Sequence, residues 1–197
     1  MSKYFQIIHD ILESKGEEYE TRFPEVRQKN VFTISTLSHS SASQVYWKLK
    51  GNRGTFSYES ITGKAFFEGR SKHEYIQKRL VDCITEYPLE FKTEKYKLIG
   101  HIDAIDFNEK FIMDLKTTKL DTLQLGRLRE YVLQVGAYCK LMEIETGRKY
   151  NGSVFVLNGK LTEYELTRED IDNSWTIIIK RADETYQKLK ELGQIRE

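Results

Sequence analysis

The stretch that decides the fold is residues 100–119, "GHIDAIDFNEKFIMDLKTTK", which has the pattern of two apolar strands joined by a short polar turn. Asp114 and Lys116 are two residues apart, so in a strand both project from one face, together with Ile112. The other face carries Phe111, Met113 and Leu115. Apolar residues on both faces are typical of a central strand, where an isolated charge is expensive. Asp103, Asp114 and Lys116 should therefore be neutral, paired or bound to a metal.

The length of the turn determines whether Asp103 lies near Asp114. In an antiparallel hairpin, residues directly opposite each other project to the same face. A two- or four-residue loop centred on Asn108 and Glu109 places Asp103 opposite Asp114. An odd loop without a bulge would send the two carboxylates to opposite faces, so the register is a testable requirement for a site that uses both.

Two carboxylates a few ångströms apart repel each other and raise one pKa unless a cation lies between them. Oxygen ligands select hard ions such as Mg²⁺ or Mn²⁺, and Mg²⁺ often combines one or two carboxylates with phosphate oxygens. Lys116 can stabilise an attacking hydroxide or a pentavalent phosphorus as a positive point charge. These groups suit metal-assisted phosphodiester hydrolysis. The alternative, favoured by the D-x-K spacing alone, is a buried Asp–Lys pair that serves only the structure.

Three further polar residues lie on the apolar faces of predicted helices. His73 belongs to a helix expected over Ile61–Ile84. Gln134 and Tyr138 are four residues apart, so they share one face of a long helix expected over residues 121–146. Each of them alone is more often a hydrogen-bonded core residue than part of a site. In chain order with the strand residues, the set is much more specific.

That ordered set consists of His73, a G-x-x-D motif ending at Asp103, D-x-K-T beginning at Asp114, and Q-x-x-x-Y from Gln134 to Tyr138. It resembles the PD-(D/E)XK nuclease superfamily in its RecB-like branch, near the CRISPR-associated exonuclease group and its viral relatives. The resemblance covers most of the chain. It implies a restriction-endonuclease-like core, with a central mixed sheet flanked by helices, and DNA cleavage that depends on a divalent cation.

The resemblance also implies roles for individual residues. His73, Asp103 and Asp114 would be ligands of Mg²⁺ or Mn²⁺, with the backbone carbonyl of Leu115 as a fourth. Lys116 would be the catalytic lysine, acting with the two carboxylates. Gln134 and Tyr138, both in the long helix, would orient the site or contact the DNA backbone.

The cysteine pattern departs from that of the CRISPR-associated relatives, which hold an iron–sulfur cluster through N-terminal and C-terminal cysteines. Residues 38–47 read "SHSSASQVYW", and the chain after Asp170 contains no cysteine. We therefore expect no iron–sulfur cluster. The nearer analogy is a cluster-free RecB-like nuclease of phage, archaeal-virus or cellular type.

Basic residues gather around the predicted site in sequence. We expect phosphate contacts, which carry no sequence information, from the following residues: Lys48, Lys50, Arg70, Lys72, Lys119 and Arg127. Aromatic residues before the catalytic strands, such as Trp47 and Tyr58, could stack on unpaired bases, although a core role is at least as common. No recognition-helix or zinc-finger pattern is found, so cleavage of single strands or free DNA ends is expected.

The overall organisation predicted for the 197 residues is one α/β (mixed α+β) nuclease domain. A mainly helical N-terminal lobe (1–85) precedes the catalytic sheet with the Q-x-x-x-Y helix (86–166) and a C-terminal helix (167–197). The sequence has no signal-peptide pattern and no membrane-length apolar run, which favours a soluble cytoplasmic protein with no membrane partner. The net charge of +1 offers little general attraction for nucleic acid, so DNA must be bound by local basic patches.

The alternative function is a DNA-binding subunit of nuclease fold that cuts little without a partner. A homo-oligomer or a replication or recombination partner also fits the sequence.

Overall fold

The computed structural model describes residues 2–13, 30–39, 72–118, 125–158 and 160–193. Within these ranges the protein is a mixed α/β structure with a central mixed sheet and flanking helices, as predicted; the sheet has six strands, and five helices are described. The helices are α1 (Lys3–Glu13), α2 (Ile34–His39), α3 (72–77), α4 (Leu125–Thr146) and α5 (Arg168–Glu191). The strands are β1 (Val31–Thr33), β2 (Ile84–Lys92), β3 (Lys97–Asp106), β4 (Phe111–Thr117), β5 (Asn151–Leu157) and β6 (Leu161–Glu165). In the part of the chain that is described, no helix combines the length and apolar character needed to cross a membrane.

Strand β3 has partners on both edges. β2 pairs with it antiparallel at residues 97–102 and 104–105 and so occupies most of one edge. The other edge pairs in parallel with β1 at residues 97–99 and antiparallel with β4 at residues 104–106. Residues 100–103 pair with neither β1 nor β4, which leaves an opening between β3 and β4. The sheet continues through β5, parallel to β4, to the antiparallel strand β6.

The two faces of the sheet are covered by different helices. Helices α2, α4 and α5 pack on the face that carries Ile102, Ile105 and Ile112. Helix α1 and the α3 segment pack on the face that carries Met113 and Leu115. The strand residues that face each helical layer are thus apolar on both sides, as predicted for β4. Burying one such side chain contributes about 1.5–3 kcal/mol relative to leaving it in water.

The β3–β4 hairpin has the register that the sequence required. Asp106 pairs with Phe111, and Ala104 pairs with Met113, so four residues form the loop. The same register places Asp103 opposite Asp114. The prediction of an even loop centred on Asn108 and Glu109 is therefore confirmed, although the ladder itself ends one pair before the two carboxylates.

The structure corrects the helix that was expected to end at Ile84. Helix α3 ends at residue 77, and Ile84 begins β2 with 53% of its surface exposed. Strand β2 runs from Ile84 to Lys92. Its pairing with eight residues of β3 supplies backbone hydrogen bonds that a continued helix would not make, so tertiary pairing outweighs the helical stripe.

The two long helices have sequence signals at their termini: a glycine after the end of α4 and a capping box at the start of α5. Gly147, with φ +68°, follows α4 in the left-handed conformation that terminates helices. Thr167 and Asp170 form a capping box at the start of α5. These local signals, with the β3–β4 register, position α4 across the opening in the sheet.

Candidate active site

Asp114 and Lys116 form the centre of the site, on the face of β4 that is covered by α4. The Asp114 side chain is fully buried, and Lys116 Nζ lies 2.9 Å from Oδ1 and 2.8 Å from Oδ2. The Lys116 side chain keeps 20% of its surface exposed, so the ammonium lies at the edge of the site. Nζ is also 5.3 Å from the ring centroid of Tyr131 in α4, a weak cation–π contact.

The charges at this centre shift one another's pKa. Burial raises the pKa of Asp114 to about 6, and Lys116 opposes that rise while Asp103 adds to it. Burial by itself would lower the pKa of Lys116, but the Asp114 and Asp103 carboxylates outweigh it, so the net pKa is raised. Lys116 is therefore charged at neutral pH, and the Asp114 carboxylate is held in an environment that disfavours its ionised form.

Helix α4 supplies the predicted Q-x-x-x-Y pair. Gln134 Nε2 donates to Asp114 Oδ1 (3.2 Å) and to the Tyr138 hydroxyl (3.1 Å). Tyr138 also accepts a hydrogen bond from the His101 backbone, and burial raises its pKa. This series of hydrogen bonds thus connects β3, α4 and β4 through the amide of Gln134. Gln134 Oε1 is buried without a hydrogen-bond partner, and Asp114 Oδ2 has only the ion pair with Lys116, outside hydrogen-bond geometry.

Gly100 of the G-x-x-D motif is explained by the Tyr138 ring. A Cβ atom built on Gly100 would lie 2.6 Å from Cε1 of Tyr138. No real Cβ makes such a contact, so a side chain here would displace the ring. The glycine of the first motif therefore makes room for the tyrosine of the last one, which couples two motifs that lie 38 residues apart in sequence.

Asp103 lies at the opening between β3 and β4. Its Oδ2 accepts a hydrogen bond of 2.8 Å from the Leu115 backbone N–H, so the carboxylate replaces a ladder partner of β4. His73 Nδ1 is 3.6 Å from the same oxygen. Burial raises the pKa of Asp103, with Lys116 and the Leu115 N–H acting in the opposite direction.

His73 reaches this opening from α3, on the other side of the sheet. Burial, with the nearby Lys116 charge as the next cause, lowers the pKa of His73 to about 4. Its ring is therefore neutral at pH 7, the form that can bind a metal. The ring also hydrogen-bonds to the Leu115 backbone. His73, Asp103 and Leu115 are thus neighbours, with Asp114 close enough to influence the two ionisable side chains.

The donor set fits a hard divalent cation in its chemistry. It combines two carboxylates, one neutral imidazole and a backbone carbonyl, and one of its buried oxygens, Asp114 Oδ2, lacks a hydrogen bond. Across the described ranges, however, no three His, Cys, Asp or Glu side chains converge into a ready-made metal-holding group. The reason is that the Asp114 carboxylate faces Lys116 and Gln134. A cation would therefore require this carboxylate to exchange contacts.

Four residues near this centre were not predicted from the sequence. Tyr131 lies next to Lys116, and His39 meets the Tyr131 ring edge-on while its Nδ1 lies 3.0 Å from Glu130 Oε2. Gln77 donates a hydrogen bond to the Asp103 carbonyl, and the charge of Glu86, which Gln77 also contacts, helps to raise the pKa of Asp103. Gln77 follows His73 by four residues, a spacing that could have drawn attention to it. His39, Tyr131 and Glu86 have no comparable local signal.

The predicted DNA-contacting residues are only partly described. Lys48, Lys50, Arg70 and Lys119, like the aromatic residues Trp47 and Tyr58, lie outside the described residues. Lys72 is exposed and directly precedes His73. Arg127 is exposed one helical turn before Tyr131, and therefore on the same face of α4.

No family model and no curated protein matches the sequence. Solved structures do match the fold. One is the "Putative exonuclease" from Eubacterium rectale, with a TM-score of 0.58 and 11% identity over 85% of this chain and 84% of that one. Another is SSO0001, with a TM-score of 0.55 and 18% identity over 91% of this chain and 86% of that one. At these identities the similarity shows a shared fold alone, and it agrees with the predicted α/β, nuclease-like architecture.

Proposed function

We propose that the protein is a divalent-metal-dependent DNA nuclease of the PD-(D/E)XK superfamily, RecB-like branch, acting on single-stranded DNA or free DNA ends. The structural neighbour named as an exonuclease supports a nuclease-like function in general. The metal, the DNA substrate and the branch rest on the residues of the site and on the motif resemblance.

One observation carries the proposal, namely the environment of Asp114. The carboxylate is fully buried, its pKa is raised to about 6, and one of its oxygens lacks a hydrogen bond. Such a group costs stability unless a cation compensates it, and perturbed carboxylates of this kind cluster at functional sites. In a purely structural Asp–Lys pair, hydrogen bonds would be expected at both oxygens, whereas Lys116 Nζ approaches Oδ2 outside hydrogen-bond geometry.

The residues that would hold the cation are His73, Asp103, Asp114 and the Leu115 carbonyl. A divalent ion there would supply Lewis-acid activation of water and of the phosphodiester. Lys116 would then contribute positive charge that stabilises the negative charge on the phosphate oxygens in the transition state. Gln134, held by Tyr138, orients the Asp114 carboxylate, and neutral His73 needs no proton loss before it can bind.

The exposed face of α4 suggests how a DNA strand would approach. Arg127 and Tyr131 lie one turn apart and lead towards Lys116. A guanidinium can contact a phosphate, and an aromatic ring can stack on an unpaired base. This arrangement supports a single strand or a frayed end as the substrate, because a base in an intact duplex is already stacked.

The test is cleavage of end-labelled single- and double-stranded DNA by the wild-type protein with Mn²⁺ or with EDTA. Asp114→Ala and Lys116→Ala are the site variants, and Lys180→Met, an exposed lysine on α5, is the matched surface control. We expect cleavage by the wild type and the control only when Mn²⁺ is present. Equal cleavage by the site variants would contradict the proposal and assign the activity to a contaminant.

A second candidate function is a DNA-binding subunit that requires a partner for cleavage. The contact that favours it is the pairing of Lys116 Nζ with both Asp114 oxygens, because the ammonium must be released before it can contact phosphate. Salt-sensitive DNA binding without cleavage by any form would favour this candidate. Absence of both binding and cleavage would contradict both functions.

A further inference from the structure

Helix α3 contacts Asp103 at two points. His73 and Gln77 are four residues apart and lie on one face of the helix. His73 Nδ1 is 3.6 Å from the Asp103 carboxylate, and Gln77 Nε2 donates a hydrogen bond of 2.9 Å to the Asp103 carbonyl. The Gln77 side chain is 7% exposed, so its amide has little water to compete for these bonds. One helical turn thus holds both the side chain and the backbone of Asp103.

The same Gln77 amide also holds Glu86 in β2. Nε2 donates to Glu86 Oε1 at 2.8 Å. Glu86 has φ +54°, a left-handed conformation that residues other than glycine rarely adopt. Within the described part of the chain, the only other non-glycine residue with positive φ is Lys110 in the β3–β4 turn. A strained residue inside a strand persists only when its surroundings hold it there.

The β2–β3 ladder is interrupted where these contacts meet. Thr85 pairs with Ala104 and Tyr87 pairs with Ile102, but the pair between them, Glu86 and Asp103, is absent from the ladder. Across the interruption, successive β3 side chains no longer alternate regularly between the two faces of the sheet. Ile102 packs with the α4 and α5 side, whereas Ala104, two residues later, packs with the α1 side. In a regular strand, residues two apart share a face.

We infer that Gln77 and Glu86 are positioning residues that hold Asp103 out of the β2–β3 ladder and direct its carboxylate towards the Leu115 N–H and His73. Without the Gln77 amide, the Asp103 carbonyl and the Glu86 carboxylate lose a shared donor. The Glu86 backbone can then return to an extended conformation, and the ladder can close at residue 103. The consequence of this positioning for metal binding rests on the proposed function. The effect of Gln77 and Glu86 on the position of Asp103 does not depend on it.

Two measurements test the inference, and neither uses DNA. The first is amide hydrogen exchange of the Leu115 N–H by NMR, which reports the bond to Asp103 Oδ2 without any metal. The second is calorimetric titration with Mn²⁺ alone. Gln77→Leu removes the amide at similar size. Glu86→Gln keeps an acceptor for Gln77, whereas Glu86→Leu removes it, and this pair remains informative if Gln77→Leu does not fold.

We expect Gln77→Leu and Glu86→Leu to accelerate Leu115 exchange about tenfold or more while other β4 amides keep their protection. Mn²⁺ affinity should fall roughly 10- to 100-fold, as is usual when a group that orients a ligand is lost. Glu86→Gln should restore both values to near the wild type. Lys110→Gly is the matched control, because it relieves the same backbone conformation elsewhere and should change neither value.

Unchanged Leu115 exchange in the two leucine variants would overturn the inference. Equal exchange in Glu86→Gln and Glu86→Leu would also overturn it, because a bulk effect would then explain the result. If the wild type binds no Mn²⁺ but the leucine variants still release the Leu115 amide, the positioning role stands and the proposed metal-dependent function fails. The two proposals are thus separable.

Discussion

Asp114 and Asp106 are both buried carboxylates of the β3–β4 hairpin, with 0% and 2% of their surfaces exposed, yet their surroundings differ. Asp106 accepts hydrogen bonds from the Tyr4 hydroxyl (2.7 Å) and from the backbone N–H groups of Asn108 and Glu109 (2.9 and 3.0 Å). Burial raises the pKa of Asp106, but these bonds outweigh it and the net pKa is lowered. The pKa of Asp114 is instead raised to about 6.

We interpret the difference as one between a structural carboxylate and the carboxylate of the proposed site. Asp106 fastens α1 to the hairpin turn, since both of its oxygens have donors from these two parts of the chain. Asp114 lacks such saturation and lies among groups that a cation or a phosphate would complete. Burial alone is therefore uninformative, whereas the number of donors around a buried charge indicates what it is for.

The largest effect that would separate the two residues is on catalysis. Asp114→Asn should reduce Mn²⁺-dependent DNA cleavage at least about 10²- to 10³-fold, the range for losing one charge-stabilising group in an active site. Asp106→Asn should leave the cleavage rate per folded molecule near that of the wild type. Initial rates normalised to the folded fraction by circular dichroism would measure this. Equal losses in both variants would remove the distinction.

The next largest effect is on stability, and here Asp106 is the residue whose replacement should cost more. Asp106→Ala leaves the Tyr4 hydroxyl and two turn N–H groups without their acceptor, so we expect it to lower the free energy of unfolding by about 3 kcal/mol. Urea denaturation at pH 7 is the measurement. A change below about 1 kcal/mol would show that Asp106 does not fasten the N-terminal helix.

The pH dependence of stability should differ in sign between the two carboxylates. The folded pKa of Asp114 is raised, so its favourable contribution is present below the unfolded pKa of 3.8 and is lost as pH rises through about 6. The folded pKa of Asp106 is lowered, so its contribution is present above the unfolded pKa of 3.8 and is lost as pH falls through the folded value.

Metal-free unfolding between pH 3 and 7 therefore tests both signs. The stability of Asp114→Asn relative to wild type should rise by on the order of 2–3 kcal/mol over this range. The stability of Asp106→Asn relative to wild type should fall as pH rises, mainly in the acidic part of the range. The same pH profile for both variants would contradict the pKa shifts assigned to these residues.

The smallest effect concerns a single hydroxyl. Tyr4→Phe removes one donor to Asp106 but keeps the ring that stacks on Phe111, with centroids 4.7 Å apart. We expect a loss of about 1–2 kcal/mol at pH 7, because the bond is to a charged group, and a smaller loss at pH 3. Tyr4→Leu, which also removes the ring, is the comparison variant. Equal losses in the two variants would assign the whole effect to packing.

The hairpin register was predictable because a single local rule governs it. An even loop places Asp103 opposite Asp114, and alternation along β4 separates Asp114 and Lys116 from Met113 and Leu115. The i, i+4 spacing likewise predicted that Gln134 and Tyr138 lie together, and a hydrogen bond joins them. These relations depend on neighbours in sequence or on one turn, so periodicity and spacing capture them.

The contacts that complete the site were not predictable in this way. Glu86 meets Gln77 only because β2 extends to Ile84, which the helical stripe through His73 did not indicate. The positive φ of Glu86 has no sequence signal, since glycine or asparagine would be the usual residue there. His39 and Tyr131 meet through the packing of α2 against α4, which joins residues 92 positions apart. Such contacts arise from tertiary packing and not from any local pattern.

The central claim is that Asp114 is buried at a cost that a divalent cation offsets, and thermal unfolding with and without Mn²⁺ tests it most directly. Wild type, Asp114→Asn and Asp106→Asn would be measured at pH 7. Mn²⁺ should stabilise wild type and Asp106→Asn, by about 2.7 kcal/mol at a hundredfold excess over the dissociation constant. Asp114→Asn should be more stable than wild type without metal and should gain much less from Mn²⁺. Equal Mn²⁺ stabilisation of all three proteins, or a metal-free Asp114→Asn protein less stable than wild type, would contradict the claim.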